Sequence, residues 1–156
     1  APGETKAEAL GLISRVIPSP GLFKGKRVAV LGGGFSAITT IRKLADENVE
    51  TVWLVRKAKS EAPYQRVDQD PLPQRDALAA YGNGLASLGT SGSLKCVRGA
   101  RIERIDVVRN ALKLTLTNET VVEADHLVGQ FRRDEWGVLL RGAQLLCIGS
   151  LLGGRT

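Results

Sequence analysis

The sequence predicts an α/β fold with a parallel sheet and flanking helices, and two observations predict it. First, an apolar run at Val28 to Leu31 enters a glycine cluster, and a segment with helical periodicity then leads to a second apolar run at Thr51 to Val55. Second, between about residues 94 and 123 the apolar period changes from 3.6 to 2, which is typical of short antiparallel strands. Together they predict a Rossmann-like parallel sheet, with a small antiparallel β-meander inserted before the last parallel strands.

The glycine cluster has the form G-x-G-x-x-A, and each fixed position has a physical reason. Gly32 permits the sharp turn out of the first strand, about Arg27 to Leu31, and Gly34 lets the backbone approach a pyrophosphate. Ala37 is small, so the following helix, Phe35 to Glu47, packs close to the strand. That helix directs its first N–H groups and the positive end of its dipole at the phosphates. The predicted phosphate-binding residues are Gly32, Gly33, Gly34, Phe35, Ser36 and Ala37. The alternative is a glycine turn in a Rossmann-like domain that binds nothing.

The residues that follow the second strand decide which dinucleotide would fit. A carboxylate there would accept hydrogen bonds from the ribose 2′-hydroxyl and would favour NAD. This chain instead has Arg56, Lys57 and Lys59, and a guanidinium can hold phosphate oxygens through two parallel hydrogen bonds. Cations at this place suit a 2′-phosphate, so the sequence predicts NADPH in preference to NADH. The alternative is a solvated basic loop.

The chain is predicted to contain one domain with a short extension before it. Residues 1–20 are the predicted N-terminal extension, with a short helix over Thr5 to Val16, and residues 21–156 are the predicted Rossmann-like dinucleotide-binding domain. A second helix of the domain is predicted over Gln74 to Leu88, where Gly82 and Gly84 weaken it or bring it close to a neighbour. The other predicted strands are Leu94 to Val97, Arg101 to Val108, Ala111 to Thr117, Thr120 to Glu123, Ala124 to Gly129 and Gln144 to Gly149.

The bulk composition limits the functional classes. The 156 residues are 43% hydrophobic and 24% charged, as in an ordinary globular domain, and no apolar run is long enough to be a membrane span. A net charge of +6 would suit nucleic acid, but Lys and Arg are spread over the chain and only 4% of residues are aromatic. We therefore favour a basic surface with an anionic cofactor over a nucleic-acid partner. A cytoplasmic location is expected, with the mitochondrial matrix or another organelle as the alternative. The chain has no methionine, so we expect a processed product, a fragment or a trimmed chain.

Neither the cysteines nor the histidine predicts a catalytic or metal site. Cys96 and Cys147 are far apart and form no C-x-x-C pair, and Cys147 is predicted to be a small buried hydrophobic residue. His126 is the only histidine, and no recognisable nucleophile motif accompanies it. It is predicted to be a strand-end histidine, and neither a metal site nor a catalytic side chain is expected.

Several stretches carry a resemblance to a known family. Gly25 to Ala37 (GKRVAVLGGGFSA) and Val52 to Lys57 (VWLVRK) resemble the pyridine-nucleotide domain of the two-dinucleotide-binding flavoproteins. That group includes thioredoxin reductase, the glutathione reductase group, ferredoxin reductases of the adrenodoxin type and flavin-containing monooxygenases. Glu123 to Val128 is similar to the family's strand before its Ala-Thr-Gly turn, and Cys147 to Gly154 resembles its final flavin-contacting strand. The resemblance spans about residues 21 to 154 and implies an NAD(P)H-binding domain.

The departures from that family concern the flavin. Family members carry a separate FAD domain with its own glycine fingerprint, whereas this chain has one fingerprint. Their final strand usually ends in Gly-Asp, whose carboxylate helps to hold FAD, and Ser150 stands in that place here. Gly129, Gln130 and Phe131 replace the Ala-Thr-Gly turn. We therefore do not expect this chain alone to bind FAD, and we expect an FAD-binding domain or partner chain to supply it.

Two functions from different classes are compatible with the sequence. The first is an NADPH-binding domain or subunit of an FAD-dependent oxidoreductase, which positions the nicotinamide for hydride transfer to flavin. That role needs binding and orientation and no general acid or base in this chain. The second is a non-catalytic Rossmann-like subunit of a larger organellar or ribonucleoprotein assembly, which would dock on partners or RNA through its basic surface.

Overall fold

The part of the chain that the structure describes is an α/β arrangement of two sheets and two α-helices. A computed structural model of the chain describes residues 11–14, 17, 19–66 and 68–129. Within them lie a 3₁₀ helix at Pro20–Phe23 and the α-helices α1, Phe35–Asp46, and α2, Pro73–Leu88. The strands are β1 Ile13–Ser14, β2 Arg27–Leu31, β3 Glu50–Val55, β4 Thr90–Ser91, β5 Leu94–Arg98, β6 Ile102–Val108, β7 Ala111–Leu116, β8 Val121–Ala124 and β9 His126–Gly129.

The larger sheet has the order β1-β9-β2-β3-β5-β4, and all its neighbouring strands are parallel except β4 and β5. A separate antiparallel sheet has the order β6-β7-β8. The chain reaches β9 only after this meander. The predicted fold class, a Rossmann-like parallel sheet with an inserted antiparallel meander, is therefore confirmed.

The central parallel strands β2 and β3 are apolar along most of their length because both faces of the sheet are covered there. Val28 and Val30 of β2 point into a core that includes residues of α1 and α2. Ala29, between them, joins a second core that includes residues of the meander. In α1 the residues Ile38 and Ile41 are buried, at the spacing of one helix face. The helices and the meander thus lie on opposite faces of the parallel sheet.

Two predicted elements differ from the structure. The predicted helix over Thr5 to Val16 is wrong at Ile13–Ser14, which pair parallel with β9, and the Leu127 N–H donates to the Leu12 carbonyl at 2.8 Å. Tertiary pairing here overrides local helical periodicity. Leu94 to Val97 was predicted in the antiparallel meander but belongs to β5, which pairs parallel with β3. On its other side, β5 pairs only with the two-residue strand β4. Strand β5 is therefore partly exposed, and its apolar pattern resembles that of a strand in the meander.

Several predictions lie outside the described residues. These are the strand over Gln144 to Gly149, the buried Cys147, and the residues Gln130, Phe131 and Ser150. The same holds for residues 1–10 of the predicted extension, and the domain boundary at residue 20 stays a prediction. Neither α1 nor α2, the α-helices of the described part, is long and apolar enough to cross a membrane.

Candidate dinucleotide-binding site

The candidate site lies at the edge of the parallel sheet where β2, β3, β5 and β9 end. The chain pairs β3 on one side of β2 and later returns to pair β9 on the other side. Such a switch point leaves a crevice beyond the carboxyl ends of the strands, where ligands of open α/β sheets bind. The glycine turn follows β2 and the basic segment follows β3. Because Leu31 lies opposite Leu54 in the register, the turn and the basic segment leave the sheet side by side.

The glycine turn has the backbone conformation that the sequence predicts. Gly32 has φ +118°, a value that side chains disfavour, and its N–H donates to the Leu54 carbonyl at 3.1 Å. Gly34 is the N-cap of α1, with φ −85° and ψ 169°. A β-carbon at Gly34 would meet no other atom within 4 Å in the part of the chain that the structure describes. Ala37 is only 8% exposed and belongs to the helix-side core.

The first turn of α1 is suited to an anion. The N-cap is a glycine, so no side chain caps the Phe35 and Ser36 N–H groups, which have no acceptor within the helix, whereas the Ala37 N–H donates to the Gly34 carbonyl at 3.1 Å. No acidic residue lies in this turn of α1, which is described in full. Gly33, Phe35 and Ser36 are exposed. The backbone N–H groups and the helix dipole therefore provide partial positive charge at a solvent-accessible surface. That these residues contact a cofactor remains a prediction.

Two aromatic residues bind the carbonyl groups of this turn, and the sequence analysis missed both. The Trp53 Nε1–H donates to the Gly32 carbonyl at 2.8 Å, and the Tyr64 hydroxyl donates to the Gly34 carbonyl at 2.9 Å. The two rings stack with centroids 6.2 Å apart, and Phe35 lies against Tyr64 at 5.5 Å. Burial raises the pKa of the Tyr64 hydroxyl well above its ordinary value, so it stays protonated and able to donate.

The basic segment leaves β3 with exposed side chains and a fixed backbone. Arg56, Lys57 and Lys59 are all exposed. The Gly99 N–H donates to the Lys57 carbonyl at 3.1 Å, and it also lies 2.9 Å from the Val55 carbonyl. These contacts come from the chain just beyond β5. The three cations predicted from the sequence therefore follow β3 on an anchored backbone, while their contact with a 2′-phosphate stays a prediction.

Arg98, at the end of β5, holds the same segment and was also missed. Its Nη2 donates to the Ala58 carbonyl at 2.8 Å and to the Glu61 carbonyl. Its Nε is buried without a hydrogen-bond partner among the described residues. The sequence signal for this residue is weak, because a single arginine at the end of a half-exposed strand is ordinary. Its role depends on the β3–β5 pairing, which the sequence analysis did not predict.

A groove of about 300 Å³ lies beside the N-terminus of α1. Arg66 pairs with Asp76, and Arg75 pairs with Asp70, each with both carboxylate oxygens engaged. The hydrogen bond from Arg75, with help from the Leu72 N–H, holds the pKa of the Asp70 carboxyl below its usual range. Both guanidinium groups are neutralised in this way, so the groove contributes little net charge. The residues that line it are Phe35, Gln65, Arg66, Asp70, Arg75, Asp76 and Ala79.

His126 lies outside this site, and Cys96 packs against the core on the helix side of the sheet. His126 begins β9, as the strand-end prediction requires, at the sheet edge opposite the glycine turn. Its Nε2 lies 2.7 Å from the Ser14 hydroxyl, and its ring lies 4.9 Å from that of Phe23. Burial raises the pKa of the Cys96 thiol to about 11, so it is a thiol at neutral pH. Across the described ranges, no three His, Cys, Asp or Glu side chains come together in a way that could hold a metal ion.

Comparison with known proteins gives solved structures but no family. No protein-family model matches the chain, and no curated protein matches it. The bacillithiol disulfide reductase Bdr from Bacillus cereus is 15% identical with a TM-score of 0.56, over 78% of this chain and 33% of that chain. Its counterpart from Staphylococcus aureus is 12% identical with a TM-score of 0.51, over 77% of this chain and 33% of that chain. LpdA from Mycobacterium tuberculosis is 15% identical with a TM-score of 0.50, over 68% of this chain and 20% of that chain.

These likenesses concern the fold. At identities of 12–15%, the aligned sequences give no evidence for a shared function. The matched region also spans a third or less of the length of each of these proteins. The chain therefore has the α/β fold of a segment found in these larger proteins, two of which are disulfide reductases.

Proposed function

We propose that this chain is an NADPH-binding domain or subunit of an FAD-dependent oxidoreductase, in which it positions the nicotinamide for hydride transfer to flavin. The observation that carries the proposal is the glycine turn. It joins β2 to an uncapped helix N-terminus at the switch point of a parallel sheet, with exposed cations following the next strand. The fold shared with segments of two disulfide reductases supports an oxidoreductase context.

The phosphates would be bound by backbone groups of the turn. Gly33, Gly34, Phe35 and Ser36 would offer N–H groups, and the open space at Gly34 leaves the backbone accessible to a phosphate oxygen. The positive φ of Gly32 sets the direction in which the chain leaves β2. These contacts are common to NADH and NADPH, so they supply affinity without choosing between the two.

The choice between the two nucleotides would come from the segment after β3. Arg56 would hold the 2′-phosphate in a charge-assisted hydrogen bond, with Lys57 and Lys59 adding positive charge. The backbone contacts from Arg98 and Gly99 limit the movement of this segment. A fixed backbone lowers the entropy lost when the ligand is bound.

The chemical step would need little from this chain beyond orientation. Bound NADPH supplies a hydride, and we propose that the flavin that accepts it comes from an FAD-binding domain or a partner chain. The residues of this chain would bind the dinucleotide in one position. Hydride transfer to flavin would then take place within one complex, without a separate collision between two free reactants. No general acid or base is required among them.

Calorimetric titration of the purified chain with NADPH and with NADH tests the proposal. We expect saturable binding of NADPH and weaker binding of NADH. Arg56→Glu reverses a charge in the segment after β3 and should weaken the binding of NADPH. Its matched control is Arg109→Glu, which makes the same change of charge at an exposed residue in the turn between β6 and β7. It should leave both affinities unchanged at moderate salt. A chain that binds neither nucleotide contradicts the proposal, and equal affinities contradict its choice of NADPH.

The second candidate is a non-catalytic Rossmann-like subunit of a larger assembly, which the net charge of +6 favours. In that case NADPH would be a structural ligand, or the turn would bind nothing. Absorbance of the assembly purified with its neighbours separates the two functions. Bound flavin supports the oxidoreductase, whereas a colourless particle that contains RNA supports the non-catalytic subunit.

A further inference from the structure

We propose that Tyr64 and Trp53 are positioning residues for the glycine turn, which fix its carbonyl groups so that its N–H groups are pre-formed as a phosphate site. The inference rests on the proposed function, because it assigns residues to the same site. Neither side chain needs to touch the ligand. The residues act through Gly34 and Gly32, whose carbonyl oxygens accept their hydrogen bonds.

Tyr64 is held from three directions. Its N–H donates to the Asn83 Oδ1 and its carbonyl accepts from the Asn83 Nδ2, both at 2.9 Å. One face of its ring stacks on Trp53. Gly82 of α2 lies against the ring so closely that a β-carbon there would come within 2.4 Å of Cε2. Tyr64 is only 4% exposed, so its hydroxyl has little freedom to leave Gly34.

Trp53 makes the corresponding contact one step earlier in the turn. Its side chain is fully buried between the sheet and the helices. A buried indole N–H needs an acceptor, and the Gly32 carbonyl at 2.8 Å provides it. The two bonded carbonyls flank Gly33, so the turn is held at both sides of its central residue.

The consequence for an anion follows from the chemistry of the peptide group. A carbonyl that accepts a hydrogen bond polarises its own peptide, so the N–H of the next residue becomes a stronger donor. Here the strengthened donors are those of Gly33 and Phe35, which belong to exposed residues of the turn. The Gly34 oxygen also accepts the Ala37 and Ile38 N–H groups at 3.1 and 3.4 Å, so α1 and Tyr64 together keep it from turning toward a phosphate. Trp53 does the same for the Gly32 oxygen. A turn that is already arranged loses less entropy on binding.

Tyr64→Phe tests this directly, because it removes the hydroxyl and keeps the ring. The hydrogen bond is also present in the free chain, so only the part of its energy that arranges the turn for an anion is lost from binding. The whole bond, about 0.5–1.5 kcal/mol, therefore sets the upper limit of the effect, at roughly a tenfold weaker affinity. We expect that loss for NADPH and for NADH alike, since both contain the pyrophosphate. Adenosine 2′-monophosphate has the 2′-phosphate but no pyrophosphate, and its affinity should not change. A merely structural role would lower the melting temperature without this pattern among the ligands.

Tyr81→Phe is the matched control. Tyr81 lies on the exposed side of α2 near Arg42, and the substitution removes the same atom. It should leave all three affinities as in the wild type. If Tyr64→Phe does not fold, Asn83→Ala decides in its place, because it removes both hydrogen bonds to the Tyr64 backbone without adding charge. The same equal loss for both dinucleotides is expected.

The outcomes separate this inference from the proposed function. Wild-type affinity in Tyr64→Phe overturns the inference and leaves the proposed function standing. A loss confined to NADPH also overturns it, because the hydroxyl would then act through the basic segment. If the wild-type chain binds neither dinucleotide, the proposed function and the inference both fail.

Discussion

Two alanine substitutions in α2, only two residues apart, should change stability in opposite directions. Gly84 is exposed, and a β-carbon there would meet no other atom within 4 Å among the described residues. Gly84→Ala should therefore gain the full helix-propensity difference, about 1 kcal/mol. Gly82→Ala gains the same amount, but its β-carbon would lie 2.4 and 2.8 Å from two ring carbons of Tyr64 and 3.3 Å from Ile38 Cδ1.

The Tyr64 ring cannot yield cheaply. It is stacked on Trp53 and its backbone is bonded to Asn83, so overpacking should cost about 1–3 kcal/mol. A ring moved by about an ångström also loses its bond to the Gly34 carbonyl, which costs roughly 1 kcal/mol more. The net result for Gly82→Ala is a loss of about 1–3 kcal/mol in the free energy of unfolding.

Urea unfolding of both variants measures these changes, and thermal unfolding checks them. Gly84→Ala should raise the melting temperature by about 2–4 °C, and Gly82→Ala should lower it by at least a similar amount. The denaturant dependence of the unfolding free energy should be the same in both variants, which would show that neither changes the surface exposed on unfolding. If both variants are stabilised equally, the Tyr64 ring does not pack closely on Gly82.

Three further substitutions test the site and its surroundings. Gly34→Val should abolish dinucleotide binding measured by calorimetry, because the side chain would occupy the space where the backbone and the pyrophosphate meet. The circular dichroism spectrum should stay unchanged, because that space is open in the structure and the residue needs no unusual φ. Binding with wild-type affinity would mean that the turn has only a structural role. Arg56→Glu should weaken NADPH binding by about tenfold to hundredfold while NADH binding holds or improves, since a charge-assisted contact contributes roughly 1.5–3 kcal/mol; a parallel fall for both would instead indicate damage to the end of β3. Burial lowers the pKa of His126, so the unfolded chain takes up a proton first, and the free energy of unfolding should fall as pH drops below about 6.5. His126→Gln should remove that part of the pH dependence in urea unfolding, and an unchanged profile would exclude His126 as its source.

The elements that surround the glycine turn could be predicted from the sequence because their signals are local. β2 begins and ends at the predicted residues, Arg27 and Leu31, and α1 ends one residue before the prediction. A strand covered on both faces is a continuous apolar run, and a turn with positive φ selects glycine. Both properties can be recognised without knowing what lies on either side.

One strand that was not predicted, β1, and one that was predicted with the wrong neighbours, β5, depend on distant partners. β1 is two residues long and exists because β9 offers a free edge more than 100 residues later in the sequence. β5 has the composition of a half-exposed strand, which fits a parallel edge position as well as a hairpin. Periodicity reports how a strand is buried and gives no information on the direction of its neighbour.

The roles of Trp53 and Tyr64 in the site also depend on partners elsewhere in the chain, but those of Tyr64 are harder to predict from the sequence. A tryptophan in a strand buried on both faces must find an acceptor for its N–H. Trp53 lies near the end of β3, close to Gly32, the first glycine of the turn that follows the adjacent strand β2. That contact was therefore within reach of the sequence. Tyr64 lies in a polar loop, and its position depends on Gly82 and Asn83 of the next helix. No local pattern indicates it.

The loop between β3 and α2 ties together the two halves of the candidate site. Its first part carries the cations and is anchored by Arg98 and Gly99, at the end of β5. Its later part carries Tyr64, which is hydrogen-bonded to Gly34, the N-cap of α1, and to Asn83 of α2. The segment that would choose the nucleotide and the residue that supports the phosphate turn thus belong to one anchored stretch of chain. The anchors lie at three places, the end of β5, the N-cap of α1, and α2, so a substitution can remove the anchor at one place without removing the others. Selectivity and affinity should for this reason be separable by mutation, even though one loop serves both.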